Sequence, residues 1–356
     1  MIETYKILAI NPGSTSTKVA YFENIKCISS ITIRHESEEL VQYKSVVDQY
    51  EYRKDSVTRY LEENGIAIGS LHAIVGRGGL LKPLRGGTYY TNDNMLEDLR
   101  SLRYGEHASN LGGLIAHELA SPAGIPSFIV NPVVVDEMED IARYSGLSCI
   151  PRKSVFHALN QKAVAARAAK DLGKEYNNTN LVVAHLGGGI SVAAHYRGSV
   201  IDVNNGLEEG PFSPERSGGL PVLQLIDICY SGKYSVQEVK KMAVGKGGLM
   251  SYLGTADCKT IEDRANAGDK EADMLLQAMA YQIAKEIGGC STVMRGSVDA
   301  VVLTGGLAYS TKIVSHVEER VRFIAPVLVY PGEDEMLAMA EGVCNVLSGK
   351  EKALKY

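Results

Sequence analysis

The sequence predicts an α/β protein of two domains related by internal duplication. Three observations carry this. The chain has 356 residues, about the length of two ordinary domains. Short apolar runs with the composition of buried strands alternate with longer helical patterns. One arrangement, a strand, a Gly/Ser-rich turn and a second strand, occurs twice, at Ile7 to Phe22 and at Leu181 to Tyr196.

Taken in order, Ile7 to Ile10 and Val19 to Phe22 read as strands around Asn11-Pro12-Gly13-Ser14-Thr15-Ser16-Thr17-Lys18. Asn, Pro and Gly favour a reversal. The hydroxyls and the lysine suit a phosphate or a hydrated metal ion, and the plain alternative is a hairpin with a soluble tip. Ile31 to Ile33 reads as strand, Ser45 to Leu61 as helix, and Asn64-Gly65 as its stop. Leu71 to Val75 is a strand running into Gly76-Arg77-Gly78-Gly79. Small neighbours leave the planar guanidinium of Arg77 open to a carboxylate or phosphate, or the segment is a surface turn that carries an arginine. Helices follow at Asn92 to Arg103 and Leu111 to Ala120, then a strand at Ser127 to Val130. Asp136 ends the next apolar run, where α/β enzymes hold ligands, or it caps a helix.

Ser154 opens an alanine-rich helix that runs to about Asp171 and stops at Gly173, with His157 in its first turn. A helix N-terminus attracts anions, while a lone histidine there also serves as a packing or capping residue. Leu181 to His185 and Val192 to Tyr196 then flank Gly187-Gly188-Gly189. These glycines are not a dinucleotide fingerprint, because a strand rather than a helix follows them. Arg216 is a second arginine in a glycine-containing loop. Pro221 to Tyr230 reads as helix, and Gly245 to Gly248 and Gly254 to Lys259 as loops. Asp273 to Met294 reads as a long, mostly apolar, buried helix. Ala300 to Leu303 is a strand that enters Gly305-Gly306, a site for close ligand approach. After the strand Val327 to Tyr330, the acids Glu333, Asp334 and Glu335 start the final helix, as the macrodipole favours.

The totals exclude some classes. With 37 basic against 42 acidic side chains the net charge is −5, so no global basic field recruits nucleic acid. The six cysteines are scattered without a CxxC pair, which points to reduced thiols rather than to zinc or redox chemistry. Met1 to Lys6 lacks a secretory pattern and no apolar run reaches membrane-span length, so a cytoplasmic protein without a membrane partner is expected.

Nine segments in order carry a resemblance: NPGSTSTK, GRGG, VVDEM, SVFHALNQKA, HLGGGIS, ERSGG, GTADCKTIE, LTGGLAYS and EDEMLAMAEG. From Asn11 to about Glu341 the chain resembles the acetate and butyrate kinase family, within the sugar kinase, Hsp70 and actin superfamily. The first, second and eighth segments sit closer to its butyrate-specific members. The resemblance implies two duplicated actin-like (ribonuclease H-like, βββαβαβα) domains with an active-site cleft between them. They would span residues 1–145, completed by a helix at about 335–356, and residues 146–334. It also implies reversible, ATP-dependent phosphorylation of a short-chain carboxylate with Mg²⁺, and a homo-oligomer of at least two copies.

Residue by residue, the resemblance places Asn11, Ser14 and Lys18 in a first phosphate loop, with Asn11 and Glu335 near the metal. Arg77 and Arg216 would hold the substrate carboxylate and the transferring phosphoryl group. Asp136 would sit near the metal and the reacting oxygens, and His157 would steady the phosphoryl group. His185, Gly187, Gly188 and Gly189 would meet the nucleotide phosphates. Asp257 and Lys259 would lie near the nucleoside, with Lys in place of the family's Arg. Gly306, Leu307, Ala308, Tyr309 and Ser310 would line the adenosine pocket. The family follows its cleft arginine with two β-branched residues. Here they are Gly78 and Gly79, so an enlarged acyl pocket is expected at Gly79, walled by Phe156. Two other readings are an actin- or Hsp70-like interaction module and a sugar kinase. Neither explains two glycine-flanked arginines.

Overall fold

The computed structural model describes residues 4–356; Met1, Ile2 and Glu3, part of the N-terminal stretch read above, lie outside the described residues, as does the side chain of Ser37. In chain order the strands are β1 (Lys6–Pro12), β2 (Ser16–Glu23), β3 (Lys26–Arg34), β4 (Ala73–Arg77), β5 (Thr88–Tyr90), β6 (Ser127–Val130), β7 (Asn180–Leu186), β8 (Ile190–Tyr196), β9 (Ser199–Val203), β10 (Ala300–Gly305) and β11 (Val327–Pro331). The helices are α1 (Ser37–Leu40), α2 (Tyr50–Glu63), α3 (Asp93–Arg100), α4 (Asn110–Ala120), α5 (Ala158–Asp171), α6 (Val222–Tyr230), α7 (Val236–Ala243), α8 (Gly248–Leu253), α9 (Cys258–Asn266), α10 (Lys270–Val293), α11 (Thr311–Val321) and α12 (Glu335–Leu347).

The chain divides into two compact units. One holds the chain up to Val135 with Asp334–Tyr356, and the other holds Asp136–Glu333. The division thus falls at Val135/Asp136, where the sequence reading put it at 145/146. The first unit's sheet has the order β3-β2-β1-β4-β6-β5, and the second's has β11-β10-β7-β8-β9. In each, three antiparallel strands are followed by two parallel ones: β3-β2-β1 then β4 and β6, and β9-β8-β7 then β10 and β11. The same strand order twice is the duplication the paired hairpins predict.

Strand periodicity explains the layers. In the second unit Val182, Ala184, Val301 and Leu303 pack with residues of α9, α10 and α11. Their neighbours Leu181, Val183, Ala300 and Val302 pack with Val164, Ala165 and Ala168 of α5. Alternate side chains point to opposite faces, so this sheet is covered on both. In the first unit Leu8, Ile10 and Ile74 share a core with Leu111, Leu114 and Ile115 of α4. β4 and α4 approach closely: a Cβ at Gly76 would overlap the carbonyl of Gly112.

Three readings of local structure change. Helix α5 begins at Ala158 instead of Ser154, because His157 has ψ 60°, outside the helical range. Helix α10 buries one stripe, including Leu276, Met279, Ile283 and Ile287, while Met274 and Tyr281 are exposed. Gly254 to Lys259 is partly helical, since Asp257 caps α9. Among the described residues no helix is long and apolar enough to cross a membrane.

The first hairpin turns tightly, with Gly13 N donating to Ser16 O at 2.7 Å. Its inward carbonyls are held by Arg53 of α2, which is fully buried. Nη1 donates to Gly13 O at 2.8 Å, Ser16 O at 3.1 Å and Thr17 Oγ1 at 3.2 Å. Nη2 donates to Ser14 O at 3.0 Å, and Nε to Gln49 Oε1 at 3.0 Å. Arg53 makes no ion pair among the described residues, so carbonyl dipoles and the Thr17 hydroxyl compensate its charge. Thr17 Oγ1 also meets His35 Nε2 at 2.8 Å, and His35 Nδ1 lies 3.3 Å from Tyr52 Oη.

Burial first, and the Arg53 charge second, push the pKa of His35 down to about 4, with Glu39 opposing. Unfolded, this histidine titrates near its ordinary value of about 6.5. Between these values the unfolded chain binds more protons, so stability is full above about pH 6.5 and falls as pH drops toward 4. His35 should account for a loss on the order of 2 kcal/mol across that window, after allowance for solvent screening. Urea unfolding at pH 7 and pH 4.5 checks this. His35→Gln should flatten the dependence, and an equal loss in both proteins would contradict it.

Candidate active site

In the first unit, β1 and β4 run parallel, with Ile10 paired to Gly76. Their C-terminal ends therefore carry Asn11 and Arg77 side by side, at the sheet edge where open α/β folds hold ligands. Asn11 Nδ2 donates to Glu335 Oε2 at 2.8 Å. Arg77 Nη1 makes an ion pair with Glu335 Oε1. Arg77 Nε is buried and has no hydrogen-bond partner. Ser14 on the turn and Lys18 in β2 are exposed.

The three acids before and in α12 have different surroundings. Asp334 caps the helix, accepting from Leu337 N at 3.2 Å. Glu335 meets Asn11 and Arg77. Glu333 belongs to the second unit, where its Oε1 lies 2.9 Å from His185 Nε2. The structure thus brings together the two residues expected near the metal, Asn11 and Glu335. An amide oxygen and one carboxylate are hard donors, and Mg²⁺ is held by one or two carboxylates plus substrate phosphates rather than by an all-protein cage. The donor set therefore fits Mg²⁺. Among the described residues no cluster of three His, Cys, Asp or Glu suggests another metal site.

The expectation at Gly79 is corrected. A Cβ there would lie 2.5 Å from Asn110 Cα and 2.9 Å from Asn110 N, and one at Gly78 would lie 2.5 Å from Pro132 Cβ. The two glycines let the chain pass the N-terminus of α4, and Asn110 fills the room an acyl group was to take. Asn110 Oδ1 also accepts from Leu80 N at 2.8 Å.

In the second unit, β7 carries the buried His185 one residue before its end at Leu186, and the chain turns at Gly187, Gly188 and Gly189. The imidazoles of His157 and His185 stack, with centroids 3.7 Å apart and planes at 10°. His185 Nδ1 lies 2.8 Å from Asn160 Oδ1. Its Nε2, though near Glu333, is off the line a hydrogen bond needs and has no such partner. His157 Nδ1 lies 2.9 Å from Ser191 Oγ. Phe156, beside it, is buried.

Arg216 lies against the glycine turn: a Cβ at Gly189 would lie 2.5 Å from its Cζ. Its Nη1 donates to Gly206 O at 2.7 Å, and its buried Nε has no partner. It makes no ion pair among the described residues. Burial lowers its pKa from the ordinary guanidinium value, and Glu215 opposes this. A cation so placed, with a donor unfilled, attracts an anion.

The remaining expected residues have structural partners. Asp136 is held by Arg143 through two hydrogen bonds of 2.8 Å. Asp257 accepts from Lys259 N at 3.1 Å and Thr260 Oγ1 at 2.6 Å, and both Asp257 and Lys259 are exposed. Gly306 to Tyr309 form a single 3₁₀ turn after β10, Ser310 caps α11, Ala308 is buried and Tyr309 is exposed. Leu307 is partly buried against the second unit's core.

Sequence reasoning missed Arg53, Asn160, Gln161 and Ser191. Gln161 stands four residues after His157, one helical turn away, and Ser191 stands two residues after Gly189. Those offsets were the available signals.

A family model described as the acetokinase family matches residues 144–328. Butyrate kinase 1 and butyrate kinase 2 of Clostridium acetobutylicum are each 54% identical over 353 residues, covering 99% of this chain and 99% of theirs. Among solved structures, Porphyromonas gingivalis acetate kinase superposes with a TM-score of 0.78 at 20% identity, over 96% of this chain and 100% of that one. A propionate kinase from Francisella tularensis gives 0.71 at 21% identity, over 95% and 98%. The structural likenesses establish the fold, and the sequence relatives establish the lineage: the chain belongs to the acetokinase family.

Proposed function

We propose that this chain transfers the γ-phosphoryl group of ATP to the carboxylate of a short fatty acid, with butyrate the preferred acceptor. The transfer is direct, in line and reversible, and takes place in the cytoplasm. The observation that carries the reading is two half-buried arginines, Arg77 and Arg216, each with a buried Nε that has no hydrogen-bond partner. A carboxylate and a triphosphate repel each other, and cations with open donors offset that repulsion. The 54% identity to two butyrate kinases supports butyrate as the acceptor.

In this reading Arg77 binds the acceptor carboxylate and Arg216 the transferring phosphoryl group. Asn11, Ser14 and Lys18 serve phosphate binding on the first hairpin, and His185 with Gly187, Gly188 and Gly189 serve it on the second. His157 donates to a phosphoryl oxygen, and Asp136 orients the reacting oxygens. Asp257, Lys259 and the Gly306 to Ser310 turn contact the nucleoside. Asn11 and Glu335 would hold Mg²⁺, which supplies charge neutralisation at the phosphates. Because Glu335 also pairs with Arg77, a bound cation and a bound carboxylate both draw on the same acid. Gly79 offers no acyl room, which leaves the buried Phe156 as the candidate apolar wall.

ATP, Mg²⁺ and butyrate with hydroxylamine should yield butyryl hydroxamate and ADP, with butyrate preferred to acetate in kcat/KM. Arg216→Lys should lower kcat at least about 100-fold in a folded protein, since lysine keeps the charge but loses the planar grip. Absence of hydroxamate, or near-normal turnover in that variant, would overturn the reading.

The proposed partner beyond small molecules is a second copy of this chain. Helix α6 is apolar except for Gln224 and Asp227 on one side, yet buries none of its residues. Leu223 is 78% and Tyr230 87% exposed, and Val222, Ile226 and Ile228 are also exposed. An apolar stripe of this kind is ordinarily covered by a neighbour. A contiguous exposed apolar patch marks an interface, and two-fold pairing needs only one such patch. Light scattering should give at least twice the 38.5 kDa chain mass, and Leu223→Glu should reduce it. A monomeric wild type would contradict this.

A further inference from the structure

We propose that a buried relay, Tyr176–His195–Gln161–Ser191, fixes the tautomer of His157, with Nδ1 accepting and Nε2 carrying the hydrogen. The relay starts from a backbone atom. Gln161 Nε2 lies 2.9 Å from the main-chain oxygen of Ser191. A carbonyl oxygen only accepts, so the amide nitrogen, not the amide oxygen, must face it. Gln161 Oε1 is then the end that lies 3.0 Å from His195 Nε2. That oxygen also only accepts, so His195 carries its hydrogen on Nε2. His195 is fully buried, and burial first, then the Lys162 charge, keep it neutral. Its Nδ1 lone pair accepts from Tyr176 Oη at 2.8 Å. Burial, then Glu137, raise the pKa of that phenol and keep its proton in place.

The second hydrogen of the Gln161 amide goes to Ser191 Oγ at 2.8 Å. Ser191 is fully buried. Its own hydroxyl hydrogen needs an acceptor, and His157 Nδ1 is there at 2.9 Å. A buried hydroxyl left undonated is penalised, so Ser191 donates and His157 Nδ1 accepts. The neutral ring then bears its hydrogen on Nε2. The stack on His185 confines the plane of the ring.

The consequence rests on the reading of His157 as a phosphoryl-binding residue. A phosphoryl oxygen is an acceptor, and the Nε2–H tautomer offers it a donor. The other tautomer offers a lone pair and repels it. Gln161 and Ser191 are therefore positioning residues, and His195 and Tyr176 act through them. No bond to the substrate is made by any of the four.

The test is ¹⁵N NMR of the full protein labelled at its eight histidines, with His157 assigned by loss of its signals in His157→Gln. The expected pattern is a pyridine-like Nδ1 and a pyrrole-like Nε2. The converse pattern overturns the proposal, and the wild-type spectrum decides this whether or not any variant folds. In Ser191→Ala no hydroxyl donates to His157 Nδ1, so both tautomers should appear. The kcat should fall with the Nε2–H fraction, about twofold at equal populations and about tenfold at an inverted 10:1 ratio, with KM unchanged. A folded Ser191→Ala with the wild-type tautomer alone overturns the relay. If the tautomers behave as stated but His157→Gln keeps full kcat, the relay stands and the phosphoryl reading of His157 fails.

Discussion

A turn that offers its outward N–H groups to an anion must have its inward carbonyls satisfied from within the protein. This constraint governs both hairpins. Under the first, the buried guanidinium of Arg53 gathers the carbonyls of Gly13, Ser14 and Ser16. Beside the second, Gln161 holds the Ser191 carbonyl and Ser213 Oγ donates to Gly188 O at 2.5 Å. Arg53 and Gln161 are long polar side chains reaching from helices, α2 and α5. Neither is replaceable by water, because both are buried. The turn conformations, and with them the directions of the polar groups on the other side, follow from these internal bonds.

Much of this architecture was legible because apolar strands advertise themselves. Ser127 to Val130 was read with its observed bounds, and the repeated hairpin led directly to the duplicated sheet order. The glycine-flanked arginines stand out in the sequence because small neighbours leave a long cation open. What escaped was of two kinds. Helix ends escaped where a single dihedral decides them, as at His157. Supporting polar residues escaped because Arg53 and Gln161, seen in a helical pattern, look like solvent-facing residues. Gly79 was misread for a related reason. A missing side chain can mean a pocket, a special dihedral or close packing, and only the position of Asn110 separates these.

The chemistry that emerges is one of charge placement. Arg77 shares Glu335 with Asn11, Arg216 makes no ion pair among the described residues, and Asp136 is already held by Arg143. Two cations therefore differ in how much compensation they carry before any substrate arrives. Residues that hold and neutralise are sufficient for phosphoryl transfer, which asks for little covalent participation by the protein.

That sufficiency is the central claim, and the stereochemistry at phosphorus tests it most directly. With ATP made chiral by oxygen isotopes at the γ-phosphorus, a single in-line transfer to the carboxylate inverts the configuration of the acyl phosphate. The account predicts inversion. Retention would require two displacements through a phosphorylated side chain, His157 being the obvious one, and would contradict it.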